Sequence, residues 1–214
     1  MEYFRLFPIS PFDVLIGFIL ALVLYYFDKR IEPLLEIRIA EPSLLPLQQG
    51  KFKSLNLEIT NKKREGIWKI LNRPATQVRI ILSFQDYPSK IEMNGMDRII
   101  ARWNSSREPV TPNYQDVDIG LALTNPREVA VPGERTTISV AIKKEGWTFC
   151  YPFNNESYIY QKKDDFKRPG WEITDDKFYV RVYIECAELQ KQLGEFIVLN
   201  KTGIEQFKIS QIKT

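Results

Sequence analysis

The segment from Ser10 to Arg30 is almost entirely apolar, and no charged residue occurs between Val14 and Phe27. Its first residues are those of a helix start, because Ser10 can cap the helix, Pro11 suits the first helical position, and Asp13 can close a capping box. At roughly 1.5 Å per residue, about 20 residues of helix reach across the hydrocarbon core of a bilayer. The segment therefore predicts a transmembrane helix over residues 11–30.

Two other interpretations of this segment fit less well. A cleaved signal peptide needs small residues at a cleavage site, whereas this segment ends in Tyr25, Tyr26 and Phe27. A core helix of a globular domain needs a polar face, and residues Val14–Phe27 offer none. The sequence thus predicts an uncleaved, single-pass signal anchor in residues 1–33 and a separate domain in residues 34–214. Gly17 and Ala21, one helical turn apart, form a candidate helix–helix contact.

The composition excludes several classes of function. The chain of 214 residues contains no histidine, which removes the usual general base and the commonest zinc ligand. Its net charge of +3 is small and dispersed, so we expect no nucleic-acid partner. The basic runs 62–64 and 143–144 are typical of solvated turns. We predict neither a cofactor nor a bound metal.

After Pro33 the sequence changes to a two-residue alternation of apolar and polar side chains, which indicates half-buried strands. Pro42 and Pro46 interrupt the pattern early. In the charged connection 61–73, the apolar residues are expected to pack inward. The predicted strands cover residues 35–39, 52–60, 78–84, 97–103, 116–123, 136–142, 178–186, 194–199 and 204–209. The prediction is therefore an all-β, Ig-like antiparallel β-sandwich that follows one N-terminal transmembrane α-helix.

Some of the predicted turns match a known kind of module. The strand 55–61 ends in Asn61, a turn at Gly66 follows, and Pro74–Val78 begins the next strand; Val131–Glu134 forms a Pro-Gly-Glu turn. These segments resemble the opening of CARDB-like Ig-fold modules. The resemblance covers about half of the domain and implies a binding or spacer domain on a membrane-anchored surface protein, without catalytic residues.

An aromatic stretch is the most unusual part of the predicted domain. Trp147, Phe149, Tyr151 and Phe153 are spaced by two residues, so an extended chain would present all four rings on one face. One interpretation is a ligand-binding platform for sugar rings or a peptide. The other interpretation, which we favour, is the core face of a strand.

Cysteines and glycosylation sequons supply the remaining candidate sites. Cys150 and Cys186 could form one disulfide, or they could be two separate buried thiols. The N-x-[ST] sequons at Asn104, Asn155 and Asn200 are candidate glycosylation sites.

The side of the membrane follows from two opposed signals. Lys29, Arg30 and Arg38 lie after the span and favour a cytoplasmic domain by the positive-inside rule. The three sequons favour the outside. The sequence-based expectation is an extracytoplasmic domain on a single-pass membrane protein.

These features predict a non-enzymatic binding, adhesion or assembly module that displays a β-sandwich near the membrane surface. Its partners would be membrane lipid, through the anchor, and a protein or surface glycan. One alternative is a membrane-bound glycan hydrolase that uses two carboxylates. Another is a cytoplasmic-facing subunit of a membrane complex. The acidic groups 164–165 and 172–176 lack the spacing of a calcium loop and are interpreted as turns.

Overall fold

The computed structural model describes residues 10–47, 50–110, 116–123, 128–161 and 165–212. The side chains of residues 27–31, 46, 47 and 128 lie outside this description.

The first element is helix α1, Pro11–Ile31, which begins at the predicted capping box. Asp13 N donates to Ser10 Oγ at 3.2 Å, and Ser10 N donates to Asp13 Oδ2 at 3.0 Å. The predicted helix and its N-terminus are confirmed. Over the residues that the structure describes, no helix combines the length and apolar character that a membrane crossing requires. The transmembrane part of the prediction is therefore not supported.

Twelve strands in the described part of the chain form two antiparallel sheets. The strands are β1 Leu35–Ile39, β2 Ser43–Leu47, β3 Gly50–Asn61, β4 Ala75–Asp86, β5 Ile99–Ile100, β6 Arg102–Trp103, β7 Glu128–Ala130, β8 Arg135–Lys144, β9 Tyr151–Pro152, β10 Lys177–Glu185, β11 Gln190–Asn200 and β12 Phe207–Gln211. The first sheet has the order β1-β3-β8-β6, with β2 on β3 and β9 on β8; the second has the order β12-β11-β10-β4-β5, with β7 on β4. This mostly β arrangement is consistent with the predicted β-sandwich.

The core takes its side chains from both sheets and contains no described residue of α1. Phe84 and Phe178, on the paired strands β4 and β10, have ring centroids 6.0 Å apart. Trp103 on β6 is completely buried. The sandwich domain thus builds its core without the N-terminal helix.

The local predictions for residues 116–123 and for the residues around Pro46 are wrong. Residues 116–123 were expected to form a strand, but Ile119–Leu123 is a short helix, α2, whose Leu121 N–H bonds to Asp118 Oδ1 at 3.0 Å. Residues around Pro46 were expected to be outside a strand, but they form β2, which pairs on one side with β3. A strand at the edge of a sheet tolerates proline because its outer N–H groups need no partner.

A β-bulge in the first sheet decides which side chains face the second sheet. Along β3, Leu55 pairs with Ala141 while Asn56 pairs with Ser139, so Val140 is the extra residue of β8. The extra residue reverses the alternation of β8. Ile138 faces the core before the bulge, whereas Lys143, opposite Lys53, faces inward after it.

Candidate functional site

The aromatic stretch does not form the continuous strand that its spacing predicts. Only Tyr151–Pro152 is extended and paired with β8. Tyr151 and Phe153 are buried in the core, whereas Trp147 and Phe149 are half-buried, with their ring centroids 5.0 Å apart. The ammonium of Lys167 lies 5.3 Å from the Trp147 ring centroid. The stretch thus divides into two core residues and a small aromatic patch covered by a cation, and no flat four-ring platform is present.

A row of polar side chains crosses the outer face of the first sheet. Asn56, Ser139 and Arg102 are cross-strand neighbours on β3, β8 and β6. All three side chains are buried, although they lie on the face that points away from the core. Asn56 Nδ2 donates to Ser43 Oγ at 2.8 Å, and Ser54 Oγ donates to Asn56 Oδ1 at 3.1 Å. Because buried polar groups need partners, these hydrogen bonds order the row as a polar network on the outer face of the first sheet.

Ser139 and Arg102 of this network line a cleft of about 200 Å³, together with Ser43 and Ser54. Phe153 and Tyr158 also line the cleft, and Tyr158 belongs to a 3₁₀ helix, Asn155–Tyr160, that has its own capping box at Asn154. Arg102 lies under the Tyr158 ring, with its guanidinium carbon 5.6 Å from the ring centroid, and donates from Nη2 to Ser106 O at 2.9 Å. Its Nε is buried and has no hydrogen-bond partner among the described residues. The cleft therefore joins a cation, an aromatic ring and several hydroxyls.

The ionisable groups in the described lining of the cleft are few. Among its described lining residues, Glu108 is the one carboxylate, and it accepts a hydrogen bond from Tyr158 Oη at 3.3 Å. A glycosidase needs two facing carboxylates. In the described residues, no group of three or more histidine, cysteine, aspartate or glutamate side chains could hold a metal ion. Of the acidic turns, Asp165 pairs with Lys144, and residue 164 lies outside the described part.

Lys143, interpreted from the sequence as part of a solvated turn, is fully buried between the sheets. Its Nζ donates to Asn200 Oδ1 at 2.8 Å and to Lys201 O at 2.9 Å, and it lies 3.4 Å from Asn200 O. Lys53, directly opposite, donates to Ile204 O at 3.1 Å. Burial lowers the pKa of both amines, because a desolvated ammonium is disfavoured. The two lysines tie β3 and β8 to the turn after β11.

We expect Lys143→Met to lower the free energy of unfolding by about 2–4 kcal/mol, because two buried oxygens of Asn200 and the partly buried Lys201 carbonyl would lose their donor. Urea denaturation of the full chain in mild detergent, followed by circular dichroism, measures this change. The matched control is Lys144→Met, since Lys144 is a half-exposed neighbour paired with Asp165 at 2.7 Å. That control should cost about 1 kcal/mol or less. Equal losses in the two variants would contradict the structural role of Lys143.

The wild type and Lys143→Met should also differ in how their free energies of unfolding depend on pH. In the unfolded chain Lys143 titrates near 10.5, and in the folded chain its pKa is lower. Between the two values the unfolded state binds more protons, so the stability contributed by Lys143 rises with pH. The difference in unfolding free energy between wild type and Lys143→Met should therefore widen as pH rises towards 10.5. The titratable groups around the amine, Lys53, Cys150 and Asp176, are present in both proteins, so the comparison isolates the titration of Lys143. A constant difference over this range would contradict the lowered pKa.

Both cysteines are free thiols, so of the two arrangements left open by the sequence the structure contains two separate thiols and no disulfide between them. Cys150 is buried, and its backbone pairs with Ile173; Cys186 is half-buried, and its Sγ lies 3.5 Å from Leu189 O. Desolvation raises the pKa of both thiols. Neither environment is that of a reactive thiolate.

The three sequon asparagines lie in different surroundings. Asn155 and Asn200 are buried, and Asn200 Nδ2 donates to Ile173 O and Asp175 O. A glycan on Asn200 would displace both bonds. Asn104 is half-buried at the cleft, where its Oδ1 accepts from Ser139 Oγ at 2.7 Å. On α1, no described atom beyond the neighbouring helix backbone lies within 4 Å of the position that a Gly17 Cβ would take, and the face of Gly17 and Ala21 stays a predicted helix–helix contact.

The polar network, the cleft and the buried lysines could not be found from the sequence pattern. From the sequence Lys143 resembles a residue of a solvated turn and Arg102 an ordinary strand residue, and only the bulge and the cross-strand register bring them to these positions. The chain matches no protein-family model, no curated protein and no solved structure. The structure thus shows a mostly β domain of two antiparallel sheets with a polar cleft, and the CARDB-like turns remain a resemblance.

Proposed function

We propose that the protein is a non-enzymatic binding module that helix α1 tethers to a membrane. The observation that carries this proposal is the surface of α1, which from Val14 to Tyr26 has no charged side chain on any side of the helix and lies outside the sandwich core. The exposed fractions of its large apolar side chains range from 43% at Leu22 to 67% at Phe12. A helix that is apolar all round fits a lipid environment better than water. Tyr25 and Tyr26 at its C-terminal end are residue types enriched at membrane interfaces.

The mechanism that we propose is display of the cleft near the membrane. Confinement by the anchor raises the effective concentration of the cleft near partners on the same membrane. Weak contacts are then sufficient to bind such a partner. Arg102, Tyr158 and the surrounding hydroxyls suit a polar segment of a partner protein, which they would bind through hydrogen bonds and stacking. The Ig-like class of the sandwich, suggested by the CARDB-like turns, is part of the same proposal. The hydrolase alternative needs two carboxylates, and the described lining of the cleft contains one, Glu108.

We propose the cytoplasmic face of the membrane for the domain, in preference to the extracytoplasmic side that the sequons predict. Two of the three sequon asparagines are buried, so Asn104 is the remaining sequon that favours an extracytoplasmic domain. Basic residues are numerous close to the end of α1, at Lys29, Arg30 and in the loop 62–73. Positive residues beside a membrane helix favour the cytoplasmic side.

Protease added to intact and to permeabilised cells tests this location. We expect the domain to resist digestion in intact cells and to be cut after permeabilisation, with no change in mobility of Asn104→Gln. Digestion in intact cells, together with a mobility change of Asn104→Gln, would overturn the cytoplasmic proposal and restore the extracytoplasmic one.

A further inference from the structure

The loop between β3 and β4 exposes apolar side chains that the sequence led us to expect inside. Within the 3₁₀ helix Gly66–Leu71, Ile67 is 79% exposed and Ile70 is 83% exposed, while Leu71 is buried. Trp68 between them is 38% exposed. Two isoleucines that point fully into water need an explanation, because neither stabilises the sandwich core.

The same loop is strongly basic. Residues 62–73 contain five basic residues and one acidic residue, Glu65. The basic residues are Lys62, Lys63, Arg64, Lys69 and Arg73. Four of them are exposed; Arg64 is half-buried, and Lys62 also pairs with Glu36 at 2.9 Å. Exposed isoleucine and tryptophan flanked by lysine and arginine is the composition of segments that lie in a lipid interface.

Hydrogen bonds fix this loop beside the point where α1 ends. Arg64 Nη2 donates to Glu32 O at 2.8 Å, and Lys62 N donates to Leu34 O at 2.8 Å. Glu32 is the residue directly after the last residue of α1. Arg64 also holds the loop closed, because its Nη1 donates to Leu71 O at 2.8 Å. The apolar tip is therefore attached to the base of the helix.

Other exposed apolar residues lie at the same end of the sandwich. Asn61, the last residue of β3, donates from Nδ2 to Arg73 O and to Ala130 O, both at 2.9 Å. These bonds join the loop to the segment around β7, where Val129 is 52% exposed and Val131 is 39% exposed. The apolar surface thus continues from the loop across this end of the domain.

We propose that the loop 62–73 is a second membrane contact, which holds this end of the sandwich against the bilayer. Ile67 and Ile70 enter the boundary between headgroups and acyl chains, Trp68 lies at headgroup level, and the basic side chains contact lipid phosphates. The inference rests on the proposed membrane tethering by α1. Because basic side chains are attracted to an anionic surface, the contact favours anionic lipids. Continuity with α1 and the positive charge identify lipid, and no other occupant, as the partner of this surface.

Brominated lipids measure the contact, because bromine on an acyl chain quenches tryptophan fluorescence only at short range. The full chain is reconstituted into vesicles of phosphatidylcholine and phosphatidylglycerol, with and without bromine on the chains. Trp68→Phe gives the background from the other tryptophans, two of which are buried in the sandwich core. We expect quenching in the wild type that is lost in Trp68→Phe and weakened in vesicles of phosphatidylcholine alone.

Two charge variants localise the effect. Ile67→Asp/Ile70→Asp should abolish the quenching of Trp68. Ile91→Asp is the matched control, because Ile91 is 67% exposed in the loop after Asp86, at the opposite end of β4. At roughly 3.3 Å per residue, the two ends of β4 are about 36 Å apart. This control should retain the quenching of the wild type.

The outcomes separate this inference from the proposed function. A chain that floats with the vesicles but whose Trp68 is not quenched would overturn the loop contact and leave the tether intact. A chain that does not float at all would overturn the tether, and the loop contact with it. Quenching that persists in Ile67→Asp/Ile70→Asp would also overturn the inference.

Discussion

Arginine at both Ile16 and Leu20 should release the full chain from membranes. These side chains lie one turn apart on α1 and are 48% and 58% exposed. An arginine near the centre of a membrane helix costs about 2.5–3.5 kcal/mol, so two cost roughly 5–7 kcal/mol. Since arginine is a good helix former, the helix itself should persist. The measurement is the fraction of the full chain that remains in cell membranes after alkaline washing.

The control for this experiment is Ile91→Arg, which adds a charge at an exposed isoleucine of the sandwich. We expect Ile91→Arg to stay in the membrane fraction like the wild type. If Ile16→Arg/Leu20→Arg is also fully retained, the apolar surface of α1 is not what holds the protein on the membrane.

Trp103→Ala should lower the free energy of unfolding by about 3–5 kcal/mol, the usual range for removing a large aromatic side chain from a core. Trp103 lies on β6, whose pairing with Ile138 of β8 completes one edge of the first sheet. Its side chain is completely buried, and its Nε1 has no hydrogen-bond partner among the described residues. Its contribution therefore comes from packing, and alanine would leave a cavity.

Urea denaturation in mild detergent, followed by far-ultraviolet circular dichroism, measures this loss without relying on tryptophan fluorescence. Trp68→Ala is the control, because Trp68 lies in an exposed loop instead of the core. We expect its cost to be at most a third of the cost of Trp103→Ala. A small effect of Trp103→Ala would mean that β6 is not an integral part of the sandwich.

The parts of the fold that local chemistry determines were predictable. The start of α1 depends on residues within one turn, Ser10 and Asp13, and both capping bonds form as predicted. Strand β10 was equally clear, because Phe178 and Val182 alternate with polar residues along its whole length. In such segments a short pattern is sufficient, since no distant contact competes with it.

The errors occur where distant contacts decide the structure. Ile119, Leu121 and Leu123 alternate like a strand, but Ala122 is the residue that packs inward, and Asp118 starts a helical turn. Lys143 is buried because a bulge at Val140 reverses the alternation of β8. No sequence rule places a bulge there.

The candidate site was hidden for the same reason. The cleft at Arg102 depends on cross-strand register, which brings Asn56, Ser139 and Arg102 into one row. The aromatic stretch drew attention because its spacing is regular, yet Tyr151 and Phe153 serve the core. Ile67 and Ile70 were expected to pack inward, and their exposure became apparent only with the loop in three dimensions.

Flotation of the wild-type full chain with lipid vesicles tests the central claim most directly. The protein is mixed with vesicles of phosphatidylcholine and phosphatidylglycerol, washed at alkaline pH, and centrifuged through a density gradient. If α1 tethers the sandwich to the bilayer, the chain rises with the lipid and stays there after the wash. A folded chain that remains at the bottom of the gradient would contradict the membrane-tethered module.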